Sequence, residues 1–216
     1  MKYLKSITCA SLLLGGMLGT ASSAAIVGGD VTHGSGSFSI LDPTSTFSVG
    51  EDKFDDANLY AFNEDQNIII PSAISVDIGT GPDKGDVVAS HYVFFDPAAL
   101  TSQKGYVDFD ADIFGIATST ANLDASDFLL NNNVTYLNPS LRGLEAGDSV
   151  AIDTSNSKRL LIDWTASSPG DYVRVFTKQS SSGPPPSSPV PLPAGAPLIL
   201  TALGALALLR RRRKEG

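Results

Sequence analysis

The sequence predicts an all-β fold, an antiparallel β-sandwich or jelly roll with one short helix. Apolar, β-branched and aromatic residues come in short runs, and several runs have the period-2 alternation of a half-buried strand. Clusters of Gly, Pro, Asn and Asp separate these runs and indicate turns. A single internal stretch favours helix, so the chain lacks the regular alternation of strand and helix that predicts a parallel sheet.

The first half of the chain contains the strongest predicted strand. Val87–Phe95 is dominated by β-branched and aromatic residues, so we expect it at the centre of a sheet with both faces buried. Ala73–Ile78 alternates between apolar and polar residues, which predicts a strand with one buried face. The other strands predicted in this half are Ser37–Leu41, Thr46–Val49, Leu59–Phe62 and Ile68–Ile70.

The second half continues with strands and contains the one helical stretch. Tyr106–Thr118 alternates throughout and is predicted as a single strand. Ala121–Leu130 has an apolar face with Asn122 as its N-cap, which predicts a short helix. The remaining predicted strands are Val134–Leu137, Ser149–Ile152, Arg159–Trp164 and Tyr172–Thr177.

The N-terminus has the pattern of a secretory signal peptide. Lys2 and Lys5 precede the apolar run Ile7–Leu18, and small residues then offer a cleavage site after Ala24, so residues 1–24 are predicted to be removed. The single cysteine of the chain, Cys9, lies inside this segment. The mature protein therefore contains no disulfide, no catalytic thiol and no thiolate metal ligand.

Composition divides the exported part into three regions before the tail. Residues 25–36 are a glycine-rich lead-in, and residues 37–179 form the predicted β-sandwich ectodomain. Residues 180–189 are almost entirely Ser and Pro, which favours an extended polyproline II stalk of roughly 30 Å.

The C-terminal tail predicts a single transmembrane helix. The 20 residues from Val190 to Leu209 carry no charge, and about 20 apolar residues are needed to cross a bilayer. Three prolines lie near the start of this stretch, so we expect the helix at about residues 196–209. Five cations follow, Arg210–Arg213 and Lys214, and they favour a cytoplasmic C-terminus by the positive-inside rule. A buried core helix, the alternative, does not end in such a run of cations.

This tail resembles the sorting signal of PEP-CTERM-type bacterial surface proteins, in the variant with a V-P-L-P-A motif. The resemblance implies recognition by an exosortase-type membrane transpeptidase, which removes the tail near the short motif. It also implies initial anchoring in the inner membrane and final residence in the cell envelope, at the cell surface or in the extracellular matrix. The matching residues are Val190, Pro191, Leu192, Pro193, Ala194, the apolar run Leu198–Leu209, and Arg210, Arg211, Arg212 and Arg213.

The ectodomain carries a second resemblance, to a domain that recurs among PEP-CTERM-type proteins. This resemblance implies no activity and no catalytic residues. It is carried by Asn58–Phe62, Ser90–Asp96, Ser119–Asp124 and Leu141–Asp148.

The exported domain is strongly acidic. The whole chain has 15 cationic and 23 anionic side chains. Without the cations of the two terminal segments and without Glu215, residues 25–189 keep 8 cations and 22 anions, a net charge of −14. Nucleic acid is therefore excluded as a partner, because phosphate binding needs clustered Lys and Arg. Solvation or divalent cations fit this charge.

Three aspartates at alternate positions, Asp108, Asp110 and Asp112, are the candidate metal ligands. Oxygen ligands at such a spacing begin a calcium loop. However, Ile113 and Phe114 separate the third Asp from Gly115, and the twelfth position is a serine instead of a glutamate. The alternative follows from strand alternation, which places all three carboxylates on one solvated face of the sheet.

Catalytic motifs are missing from the sequence. His33 and His91 are the only histidines, and neither a G-x-S-x-G nor an H-E-x-x-H motif accompanies them. Trp164 and the six tyrosines are the candidates for stacking on sugars, although alternation places Trp164 first in the core. We therefore expect a structural or adhesive, non-enzymatic protein of the polysaccharide matrix. The alternatives are a secreted carbohydrate-active enzyme and a calcium-dependent carbohydrate-binding module.

Overall fold

A computed structural model of the protein describes residues 25–50, 52–181 and 184–186. The predicted signal peptide with its cleavage site at Ala24, and the predicted sorting tail over residues 190–216, lie outside the described residues. Within the described part, no helix combines the length and the apolar character that a membrane crossing requires.

β-Strands dominate the described residues. The single α-helix there, α1 (Thr120–Ala125), is short and lies between the ninth and tenth strands. The strands are β1 (Ile26–His33), β2 (Phe38–Ile40), β3 (Phe47–Val49), β4 (Leu59–Asn63), β5 (Ile68–Ile69), β6 (Ile78–Gly79), β7 (Val87–Phe95), β8 (Thr101–Phe109), β9 (Ile113–Ala117), β10 (Val134–Tyr136), β11 (Ser149–Asp153), β12 (Asn156–Ala166) and β13 (Asp171–Lys178).

Two sheets carry the fold. Four strands form one sheet in the order β1-β8-β12-β11, and all its neighbouring strands are antiparallel. Seven strands form the other, in the order β2-β4-β7-β13-β9-β6, with β5 also paired to β7. The pairs β2–β4 and β3–β10 are parallel, whereas the remaining pairs are antiparallel. The all-β prediction and its mainly antiparallel pairing are confirmed.

The first hydrophobic core contains residues of both sheets. In β12 every second side chain is buried, and Leu160, Ile162 and Trp164 belong to this core together with Val93 and Val175 of the large sheet. Trp164 is completely buried. The prediction that its face of β12 points inward is therefore confirmed, and this tryptophan is not available as a sugar platform.

A second core covers the other face of the seven-stranded sheet. Tyr92, Phe94 and Phe176 on this face pack with Leu123 and Leu129, which belong to the helical segment after β9. Strand β7 thus contributes to both cores and is buried along almost its whole length. The prediction of a central strand with two buried faces is confirmed.

The glycine-rich lead-in is a strand, contrary to the prediction for residues 25–36. Strand β1 forms an edge of the four-stranded sheet and pairs with β8. Its glycines allow close packing, because a Cβ atom at Gly29 would lie 2.7 Å from the Tyr106 carbonyl oxygen and 2.8 Å from the Phe38 ring. Glycine clusters in a sequence generally indicate turns, whereas in β1 they mark a close approach of neighbouring chain segments.

Tyr106–Thr118 is also not the single strand that its alternation predicts. It is divided between β8 and β9, which belong to different sheets. Residues 110–112 between them form no strand. The polar aspartates that continue the alternation instead turn the chain from one sheet to the other, so the prediction of three carboxylates on one strand face is wrong.

Two shorter elements differ from prediction as well. The helical stretch is confirmed as a helix but begins earlier and is shorter, because Ser119, and not Asn122, is the N-cap of α1. A 3₁₀ turn, Asp127–Leu129, follows the helix. Of the predicted strand Ala73–Ile78, only Ile78 is in a strand, paired as β6 with β9.

Candidate functional site

The three candidate metal ligands each have a different environment. Asp108 lies in β8 and forms a bidentate ion pair with Arg159 of β12, with N–O distances of 2.7 and 2.8 Å. This carboxylate also raises the pKa of the Arg159 guanidinium through its hydrogen bonds. Asp108 therefore forms a cross-strand ion pair between β8 and β12.

Asp112 is held by two other residues after the chain has left β8. The Ser157 hydroxyl donates to its Oδ1 at 2.7 Å, and Lys178 Nζ lies 3.0 Å from its Oδ2. Both contacts lower the pKa of Asp112, that from Ser157 most. No group of three metal-binding side chains with suitable geometry occurs within the described ranges. Calcium binding by Asp108, Asp110 and Asp112 is a hypothesis that this geometry does not test.

Asp110 connects the two ends of the described domain. Its backbone N–H donates to the carbonyl oxygen of Ala25 at 2.8 Å, and its Oδ2 accepts the Ser180 hydroxyl at 2.6 Å. Ser180, which composition assigned to the stalk, is buried. Asn67 Nδ2 also donates to the carbonyl oxygen of Pro184, so the chain is still bonded to the domain beyond this serine.

The outer face of the four-stranded sheet, formed by Lys104, Tyr106, Asp108, Arg159, Leu161 and Asp163, carries exposed groups of mixed chemistry. The guanidinium of Arg159 lies 3.9 Å from the centroid of the Tyr106 ring, in a cation–π contact. Lys104 Nζ pairs with Asp163 at 2.6 Å, and Leu161, opposite Tyr106 in the register, is 39% exposed.

A shallow depression of about 280 Å³ lies in the same sheet beside these residues. It is lined by Thr32 of β1, Lys104 of β8, Ala151 of β11, and Leu161 and Asp163 of β12, among others. All four strands thus contribute to one concave surface with hydroxyl, charged and aliphatic groups. The groups that line it are chemically complementary to a ligand with both hydroxyl groups and apolar faces.

Strand alternation explains why Tyr106 is the tyrosine on this face. The residues on either side of it in the sequence, Gly105 and Val107, are buried, whereas Tyr106 is half-buried. Tyr60, Tyr92 and Tyr172 lie in the second core instead. Among the sugar-stacking candidates of the described residues, Tyr106 is the one on the outer face of the sheet, and the Arg159 guanidinium lies over its ring.

The two histidines differ in burial. His91 is fully buried in β7, where Asn63 Oδ1 and Thr177 Oγ1 contact its ring nitrogens at 2.9 and 3.0 Å. Burial lowers the pKa of His91 to about 3, so the ring is neutral at physiological pH. His33 lies exposed at the end of β1. His91 is a packed core residue whose ring nitrogens bond to an amide and a hydroxyl.

A buried ion pair lies under the helical segment and was not predicted. Glu64 and Arg174 are both completely buried and are joined by N–O contacts of 2.7 and 3.0 Å. The hydroxyls of Ser90 and Tyr136 donate to the same carboxylate at 2.6 and 2.8 Å. Burial and the nearby Glu64 together raise the pKa of Tyr136, which therefore stays a hydrogen-bond donor.

Arg174 extends this pair to the helical segment. Its Nη1 donates to the Leu123 carbonyl oxygen and to the Ser126 hydroxyl, both at 2.7 Å. Burial alone lowers the pKa of Arg174, but the Glu64 carboxylate outweighs it and raises that pKa. The only feature of the sequence that indicates this buried pair is a charged residue, Arg174, inside the apolar run Tyr172–Thr177. The full set of bonds favours a structural role that fixes α1 to the sheet.

The outer face of the four-stranded sheet is thus the surface best suited to a ligand, and the buried Glu64–Arg174 pair is a structural connection. The carboxylates of the outer face are engaged in ion pairs with Arg159 and Lys104. Comparisons with protein-family models, with curated proteins and with solved structures found no match for this chain.

Proposed function

We propose that the protein is exported, sorted to the cell surface and used there as a structural or adhesive module. It contacts extracellular polysaccharide through the outer face of the four-stranded sheet and catalyses no reaction. The two packed sheets are, in this proposal, a jelly-roll-like sandwich. A signal peptide directs export, and a transmembrane helix holds the precursor in the inner membrane with its C-terminus in the cytoplasm.

The sorting tail supports the location. Its V-P-L-P-A motif, its apolar run and its basic end occur in the order of an exosortase substrate. The partner implied by this tail is an exosortase-type sorting enzyme. The polysaccharide matrix is the environment that this route of export implies.

The outer face carries the adhesive part of the proposal. A sugar ring offers an apolar face to aromatic and aliphatic side chains, here Tyr106 and Leu161, and hydroxyl groups to paired charges at its edge. Arg159 and Lys104 are each paired with a carboxylate, so the face itself is nearly balanced in charge. Because the domain around it is strongly acidic, we expect a neutral polysaccharide as the ligand rather than an anionic one.

Glycan binding by the exported, tail-processed protein tests the proposal. We expect wild-type protein to retain neutral glycans on an array and Tyr106→Ala to bind them roughly tenfold more weakly, because the variant loses the aromatic platform. Leu100→Ala is the matched control, since Leu100 is 75% exposed and lies outside the outer face. Equal binding by Tyr106→Ala and Leu100→Ala, or no glycan retained by wild type, contradicts the adhesive function.

A further inference from the structure

The side chain of Asn67 bonds to the chain segment that follows the last strand. Its Oδ1 accepts the Ser180 N–H at 2.8 Å, and its Nδ2 donates to the Ser180 carbonyl oxygen at 3.1 Å. The same Nδ2 donates to the Pro184 carbonyl oxygen at 2.5 Å. Asn67 is completely buried, and these three bonds all go to backbone groups. Its amide therefore acts on this segment as a neighbouring strand would, as both donor and acceptor.

The turn between β4 and β5 fixes Asn67 to the domain. Asn67 has a φ of 56°, in the left-handed region that asparagine tolerates better than most residues. Just before it in the chain, the Glu64 N–H and Gln66 Nε2 both donate to the Ser90 carbonyl oxygen, at 2.9 and 2.7 Å. In return, the Ser90 N–H donates to the Asp65 carbonyl oxygen at 2.9 Å. The Asn67 amide is thus presented by a turn that is bonded to the central strand β7.

The segment is also held where it leaves β13. The Lys178 N–H donates to the Asp112 carbonyl oxygen at 2.8 Å, and the Ser180 hydroxyl donates to Asp110 Oδ2 at 2.6 Å. Ser180 is only 1% exposed, and Pro184 is half-buried. The contacts of the segment with the domain therefore extend from the end of β13 as far as Pro184.

These bonds are incompatible with an extended stalk that begins at Ser180. The carbonyl oxygens of Ser180 and Pro184 are both bonded to one nitrogen atom. They are therefore less than about 6 Å apart, whereas four residues of polyproline II at about 3.1 Å each would separate them by roughly 12 Å. The start of the Ser/Pro stretch belongs to the domain.

We propose that Asn67 is a docking site for the chain's own stalk, which it holds as far as Pro184, and that the spacer between domain and tail begins only after this residue. Residues 185–189 then separate the docked part from the tail, and five residues of polyproline II at about 3.1 Å each reach roughly 16 Å. That is about half of the length expected from composition. The docking does not depend on export, whereas the spacer role rests on the proposed anchoring of the tail in the membrane.

Amide hydrogen exchange in the full chain, kept in solution by detergent, tests the docking. We expect the Ser180 amide to exchange at least about tenfold more slowly than an unstructured amide, because it is bonded to Asn67 in a buried place. Asn67→Gly keeps the left-handed backbone but removes the amide side chain, so Ser180 should lose this protection while the amides of β7 keep theirs. Asp55→Gly is the matched control, because Asp55 also has a positive φ, of 52°, and is exposed. It should leave Ser180 protected.

Three results overturn the docking: fast exchange at Ser180 in wild type, unchanged protection in Asn67→Gly, or protection that arises only at high protein concentration. The last would assign the docked stalk to a second copy of the chain. Should Asn67→Gly not fold, Asn67→Asp replaces it, because this variant keeps the acceptor and loses the donor to both carbonyl oxygens. It should also speed the exchange at Ser180, and unchanged protection would again overturn the proposal.

The length of the spacer is measured separately, with spin labels on Lys84→Cys and Ser188→Cys in a Cys9→Ser chain. We expect a narrower distribution of label distances with Asn67 in place than in Asn67→Gly, because docking as far as Pro184 leaves fewer residues between the domain and the second label. Equal widths would overturn the shortened spacer and leave the docking to the exchange result. Neither measurement depends on sorting or on glycan binding, so failure of the proposed function is distinguished from failure of this inference.

Discussion

Arg174 shows what a single buried charge contributes to this fold. Its guanidinium is bonded to Glu64, directly after β4, and to Leu123 and Ser126 in the helical segment. A buried ion pair often stabilises a fold no more than apolar residues of the same size would. Removing one of its two members, however, leaves an uncompensated buried charge. Arg174 therefore determines where α1 packs.

Removal of one member of the Glu64–Arg174 pair should strongly destabilise the fold. We expect Arg174→Met to lower the free energy of unfolding by about 3–5 kcal/mol, and the double variant Arg174→Met with Glu64→Leu to regain much of the loss. Urea unfolding measures both. The exposed pair provides the control, because Lys104→Met should cost no more than about 1 kcal/mol. A loss for Arg174→Met as small as that for Lys104→Met contradicts the structural role of the buried pair.

The buried carboxyl group of Asp171 should make the stability of the protein depend on pH. It is 1% exposed at the start of β13, and no hydrogen-bond partner for its Oδ2 is present among the described residues. Burial raises the pKa of Asp171 from 3.8 to about 7, and Asp148 and Glu145 add to this effect. The folded protein consequently binds more protons than the unfolded chain between about pH 4 and 7.

Stability should therefore fall as the pH rises through this window. At lower pH the carboxyl group is neutral in both states, and above about pH 7 it is charged in both and destabilises the fold. Asp171 should contribute a loss of up to about 1.4 kcal/mol for each pH unit within the window. Thermal unfolding at a series of pH values measures this. Asp171→Asn should reduce the slope, and the exposed Asp83→Asn should keep it; part of the slope remains in Asp171→Asn because burial also raises the pKa values of Asp65 and Asp96. An unchanged slope in Asp171→Asn would falsify the assignment.

The link between β8 and β9 is the element in which sequence and structure differ most. Alternation cannot indicate where a strand leaves its sheet, because Asp110 and Asp112 keep the period of the strand while they turn the chain. Once the chain has turned, each aspartate meets residues distant in sequence, such as Ser180 for Asp110 and Lys178 for Asp112. Those partners are set by the packing of two sheets and not by local pattern.

Calcium binding at this link can be measured directly. Asp108 and Asp112 already have cationic partners in Arg159 and Lys178, so a cation has little repulsion left to relieve. We expect the same melting temperature in excess calcium and in chelator. A rise in calcium that is lost when Asp108, Asp110 and Asp112 are all changed to Asn would contradict this expectation and establish the calcium site.

Local pattern predicted most other elements well. The runs that became β2 to β5, β7 and β10 to β13 were found from alternation and β-branched residues, and the inward face of Trp164 followed from the same rule. Strand β1 was missed because its glycines serve close packing against β8. The Glu64–Arg174 pair was missed because its members are 110 residues apart, and the outer face emerged only once β1, β8, β11 and β12 were known to be neighbours.

On the scale of the whole molecule, the described residues form an all-β domain, and Ala25 and Ser180 both bond to Asp110. We propose that this domain lies between two targeting segments and presents one exposed sheet face to the matrix. In this proposal, the stalk and tail set its distance from the membrane and its release. Sorting is therefore the central claim, because the outer face can meet extracellular polysaccharide only if the domain reaches the surface.

Fractionation of cells with separate antibodies against the ectodomain and the tail tests that claim most directly. In wild type we expect ectodomain at the surface without its tail. Changing Arg210–Arg213 and Lys214 to Ser should release unprocessed protein, because cations oppose passage of the tail through the membrane. Changing Pro191 and Pro193 to Ala should leave uncut, membrane-held precursor. Processing and location of both variants as in wild type, or wild-type protein that keeps its tail, would contradict the proposed sorting.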